Sequence, residues 1–122
     1  MTGTVTAQEI MADLHAKAGE LEQLSVALHG VMTQLEPVEA DVQRFIADFE
    51  IGLWTAHVDD GAKLPARDLR VQLAHRAMSP ELYGRFHALA ATRDRLVKRI
   101  SALRTSVEAS RSLLSALKEG LI

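Results

Sequence analysis

The residues best suited to bind a metal or relay a proton are five histidines, His15, His29, His57, His75 and His87. A helical metal site sets two histidines four residues apart on one face, and a zinc hydrolase adds a glutamate between them. No pair in this chain has that spacing. His57 with Asp59 and Asp60 is the one cluster of ligand-type residues, and an Asp-rich turn is far more often solvated than coordinating. The absence of cysteine excludes disulfides, thiolate metal sites and thiol nucleophiles. No serine stands in a G-x-S-x-G elbow, and the glycines form no phosphate-cradling loop. The sequence therefore predicts neither an enzyme nor a cofactor.

The elements that carry these residues all read as helices. Thr6 and Glu9 match a T-x-x-E capping box, with Val5 and Ile10 at the staple positions around it. Apolar residues then recur in alternating steps of four and three: Ile10, Leu14, Leu21, Leu24, Leu28, Val31, Leu35, Val38, Val42, Phe45 and Phe49. That is one heptad frame, interrupted by Lys17 and unbroken across Pro37, so it predicts a single kinked helix over about 7–57. Val58 to Lys63 reads as a turn marked by Asp-Gly, and Pro65 as the first residue of a short helix over about 65–77. That helix carries Leu69 and Leu73 on one face. Ser79-Pro80-Glu81 is a second start signal, opening a last helix over about 80–119 that Gly120 closes. Its seam runs Leu82, Phe86, Leu89, Leu96, Ile100, Leu103, Val107, Leu114, Leu117 and Leu121, with Arg93 and Ser110 as polar interruptions. Two long helices of similar length joined by a short connector pack as antiparallel neighbours. The expected fold is one all-α domain: a long coiled-coil-like antiparallel helical hairpin with a short helix at the connecting tip, packed into an oligomeric bundle.

Charge is split between the halves. Met1 to Gly61 holds two basic and eleven acidic residues, net −9, and Ala62 to Ile122 holds twelve basic and five acidic, net +7. A basic half can be a nucleic-acid arm, or it can pair with the acidic half. Heptad framing favours pairing, since Glu20, Glu39, Asp41 and Asp48 flank one seam and Arg85, Arg99, Arg104, Arg111 and Lys118 flank the other. With Ala56 and Leu82 brought level, the acidic block Glu36–Glu50 falls beside the basic block Arg93–Arg104. Glu20 and Glu22 then fall beside Lys118, and Arg93 near Asp41 to Asp48.

The outer faces carry small, weakly polar residues where a solvated coiled coil is normally rich in Lys and Glu. Ala102, Ala109 and Ala116 share one heptad column of the last helix and are the expected oligomer face. Val26, Ala40, Ala47 and Trp54 mark the outermost column of the first. A lone two-helix hairpin buries one stripe per helix, set against a chain entropy of about 1–2 kcal/mol per residue. A homodimer or higher oligomer is therefore expected. Trp54 either packs under the short helix or, if exposed, anchors a partner. With Lys63, Arg67, Arg70 and Arg76 it forms the candidate partner contact.

The segments Phe49-Glu50-Ile51-Gly52-Leu53-Trp54, His57, Gly61-Ala62-Lys63-Leu64-Pro65 and Leu73-Ala74-His75-Arg76 carry a resemblance, as does Arg111 to Lys118. Together they resemble small helical coiled-coil accessory proteins of actinobacterial temperate phages and prophages, over Leu35 to Lys118. The resemblance implies a phage-type accessory protein in the bacterial host cytoplasm and assigns no functional residues. Secreted hairpins of the WXG type differ, because Gly52-Leu53-Trp54 reverses their order and a longer connection follows. No basic stretch followed by an apolar run opens the chain, and no apolar run reaches the ~20 residues that span a bilayer. The expected function is a non-enzymatic, oligomeric protein-interaction adaptor or regulator with a protein partner. The alternative is a nucleic-acid-associated accessory factor in phage recombination or replication, with the arginines from Arg67 to Arg104 on phosphates.

Overall fold

A computed structural model of the chain describes residues 6–61 and 63–120, the side chains of 58–60 excepted. These residues form three helices, α1 (Ala7–Asp60), α2 (Arg67–Ala77) and α3 (Pro80–Lys118). The long helices α1 and α3 pack against each other as a hairpin. Packing divides the chain into two units. One joins the chain up to Gly30 with Arg93 onward, and the other is Val31–Thr92.

Local chemistry sets the helix ends. At the start of α1, Glu9 N–H donates to Thr6 Oγ1 and Thr6 N–H donates to Glu9 Oε2, both at 3.1 Å. That is the reciprocal capping box, which satisfies two donors that lack helical partners. Val5, the expected staple residue, lies outside the described residues, as does Leu121 at the far end of the second seam. The Asp-Gly pair acts as a helix stop, not as the start of a turn. Gly61 sits at φ +70°, donates its N–H to the His57 carbonyl at 2.8 Å, and so carries α1 through Asp60. A residue with a Cβ resists that left-handed conformation. Pro37 lies inside α1 and is exposed.

The short helix begins two residues after Pro65, at Arg67, with Ala66 as N-cap. The Pro65 carbonyl is occupied differently: it accepts from Arg70 Nη1 at 2.8 Å. Ser79 caps α3 as expected, its Oγ accepting the Leu82 N–H at 3.2 Å. Gly120 ends α3 at φ +73°.

In the unit that joins the first part of α1 to α3 from Arg93 on, Ile10, Ile100 and Leu103 are buried and the remaining described seam residues are mostly half-buried. The antiparallel register is fixed there by two polar contacts. Lys17 Nζ bonds Asp13 Oδ2 at 2.6 Å and donates to Ser110 Oγ at 3.4 Å, and Ser110 donates to Asp13 Oδ2 at 3.2 Å. Lys17 and Ser110, each an interruption of its own seam, thus meet in one polar layer. Farther along, Arg99 Nη2 reaches Glu20 Oε1 at 2.6 Å. This corrects the expected register, which set Glu20 beside Lys118 and the block Glu36–Glu50 beside Arg93–Arg104. Arg99, a member of that basic block, lies against the first half of α1. Arg93, which the expected register set near Asp41 to Asp48, bonds its neighbour Asp94 at 3.3 Å.

The other unit, Val31–Thr92, holds the short helix. There α2 lies against the last part of α1, with Arg70 Nε 3.7 Å from Glu50 Oε1. The chain has therefore turned back along α1 before α3 begins, so the ends at Ala56 and Leu82 are not level. This unit buries Leu35, Val38 and Val42 of α1 with Ala74 and Met78 of the connection. Leu69, on the expected apolar face of α2, is about half exposed. Phe45 and Phe49 stack at 6.3 Å along the same stretch of α1.

Candidate interaction surface

The last turns of α1 present their outer face to solvent. Ile51 is 64% exposed and Trp54, one turn on, is 56% exposed. Packing under the short helix, the first expectation for Trp54, is therefore not what the fold provides. Ala40, Arg44 and Ala47 continue the same face toward the start of the helix, and all are exposed. Those five positions repeat the four-three alternation of the seam on the opposite side of the helix, half a turn from Leu35, Val38 and Val42. Sequence reasoning noted Ala40, Ala47 and Trp54 and missed Arg44 and Ile51. The second alternation was the signal that would have found them.

Polar groups on this stretch are mostly used within the helix. Thr55 Oγ1 donates to the Ile51 carbonyl at 2.9 Å, and His57 Nδ1 lies 2.8 Å from the Leu53 carbonyl. The latter contact makes His57 Nδ1 a donor. Asp59 and Asp60, its companions in the sequence-based cluster, have side chains outside the described residues. Among the described residues no three His, Asp or Glu side chains stand together as a metal site.

The four candidate basic residues divide. Lys63, Arg67 and Arg76 are exposed. Arg70 is turned inward, 19% exposed, spanning the Pro65 carbonyl and Glu50, and so pins α2 rather than presenting a charge. Arg76 lines an open cleft of about 440 Å³ with Gln72, His75 and Tyr83. Tyr83 stands edge-on to His75 at 6.0 Å and tilted over His87 at 4.2 Å.

Comparisons with family models, curated proteins and solved structures found no match. The chain's own surfaces therefore carry the functional reading.

On α3, Ala102 and Ala109 are exposed and Ala116 is half-buried. A different column of the same helix stands out. Arg104, Arg111 and Lys118, seven residues apart, are exposed and form no ion pair among the described residues. The expected pairing of these charges with acids on α1 is thus realised at Arg99 and not along this column. No described helix is long and apolar enough to cross a membrane.

Proposed function

We propose that this chain is a non-enzymatic, self-associating protein-interaction adaptor or regulator of the phage or prophage type, acting in the bacterial cytoplasm. The observation that carries the reading is Trp54. A tryptophan more than half exposed, one turn from a still more exposed isoleucine, is costly in water and is the residue type that anchors protein interfaces. Exposed Lys63, Arg67 and Arg76 in the same packing unit supply charge for an acidic rim on the partner. The test compares proteins retained from host lysate by the tagged chain and by its Trp54→Ser variant. Any protein lost with the variant is then purified and titrated against the wild type. Trp54 is the sole tryptophan, so docking blue-shifts the whole emission. Retention that does not depend on Trp54 overturns the reading.

One observation favours a second reading, a nucleic-acid-associated factor. Arg104, Arg111 and Lys118 lie on one face at heptad spacing without acidic partners among the described residues. Phosphate contacts by such a column make affinity fall steeply with salt.

A further inference from the structure

We infer that the outer face of α1 from Ala40 to Trp54 seats the same segment of a second copy, antiparallel, about a two-fold axis at Ala47. The inference rests on the self-association in the proposed function and names its surface, with a second copy in place of a different protein as the group that covers Trp54. The face consists of Ala40, Arg44, Ala47, Ile51 and Trp54, all exposed, in the alternation that makes a helix-pairing seam. It joins two holes, Ala40 and Ala47, to two large apolar side chains, Ile51 and Trp54.

Size and charge select the antiparallel copy as occupant. With Ala47 opposite its own copy, Trp54 falls opposite the partner copy's Ala40, so the largest side chain meets one of the smallest. A parallel pairing sets Trp54 against Trp54, Arg44 against Arg44 and Asp48 against Asp48. The antiparallel pairing instead gathers both Arg44 and both Asp48 side chains into one cluster, each guanidinium beside the other chain's carboxylate. Asp48 is exposed and without an ion pair among the described residues, and Arg44 is held only by exposed Asp41 at 3.6 Å. An isologous contact of this kind is closed, since the same patch serves both copies.

The column Ala102, Ala109 and Ala116 offers no comparable anchor, and Ala116 is already half-buried.

The chain has no cysteine, so single cysteines report proximity cleanly. Under mild oxidation Ala47→Cys should yield a disulfide-linked dimer, because only a residue on the two-fold axis meets its own copy. Ala102→Cys should stay monomeric on denaturing gels. In sedimentation equilibrium Trp54→Ser should raise the dimer dissociation constant at least about tenfold with helicity unchanged. Arg44→Asp should weaken the dimer, and Arg44→Asp with Asp48→Arg should restore it. A wild-type chain that is monomeric throughout the micromolar range overturns the inference, as does cross-linking at Ala102 but not at Ala47. Trp54-dependent retention of a different protein alongside a monomeric chain would leave the interaction-adaptor reading standing without its self-association, and this surface assignment wrong.

Discussion

Lys17 and Ser110 show what single residues contribute and what the sequence conceals about them. Each was readable as a gap in an apolar seam, but their meeting depends on the helix register, which no local pattern specifies. The Lys17 hydrogen bond, with a further bond from Ser110, holds the Asp13 carboxyl below its ordinary value of 3.8. A depressed carboxylate stabilises the fold above its unfolded pKa, and that contribution is lost as pH falls through the lower folded value. Asp13→Asn should therefore flatten the fall of the thermal midpoint in acid below about pH 4, the pH at which an unpaired Asp is about half protonated. Parallel slopes for the two proteins would exclude a role for the layer. Polar layers in a seam favour one register at some cost in stability. Accordingly Lys17→Leu with Ser110→Leu should unfold at a midpoint no lower than either single variant. A double variant less stable than both singles would mean that the layer stabilises outright. Leu35 has no exposed surface, and Leu35→Ala should cost about 3 kcal/mol in denaturant unfolding. A loss below about 1 kcal/mol would mean that the site collapses around the smaller side chain.

Elements were legible where their signals are local. The capping box at Thr6, the Ser79 cap and the Gly120 stop were all correctly placed, because each depends on residues within one turn. Two boundaries moved for equally local reasons once the contacts are seen. Gly61 caps α1, so the helix absorbs the Asp-Asp pair, and the Pro65 carbonyl is held by Arg70, so α2 starts later. The register between the long helices was not legible, because no pattern within one helix states which residues of the other it meets. At Gly61 an added Cβ meets nothing within 4 Å, so Gly61→Ala should cost only the strain of the left-handed conformation, about 1 kcal/mol. Gly61→Asn should lose less, since asparagine enters the left-handed region more readily. Equal stability of the Ala variant and the parent in urea would show that the cap is not held. Thr6→Ala should cost about 1 kcal/mol, and Glu9→Ala should cost less than a further full increment on top of it, because the box is reciprocal.

For the molecule as a whole, the decisive question is whether the charge split is spent internally. Arg99 and Arg70 are engaged by Glu20 and Glu50. The column Arg104, Arg111 and Lys118 is not engaged among the described residues, and this was not foreseen, because the expected register set acids beside it. If it binds nucleic acid, fluorescence anisotropy with a DNA duplex should give a log–log salt slope of about −3, falling by about one per residue replaced. No binding at low salt would remove the second reading. The polar layer near the chain ends also dictates an order of events. Asp13 and Ser110 are 97 residues apart, whereas Glu50 and Arg70 are separated by only 20. Closing the short loop costs less entropy, so contacts at the connection are expected to form before those near the chain ends, with φ-values higher at Glu50 than at Asp13 as the check. During synthesis the first half of α1 leaves the ribosome long before residues 93–118 exist to cover it. Its apolar stripe must wait, uncovered, for almost the whole chain to be made.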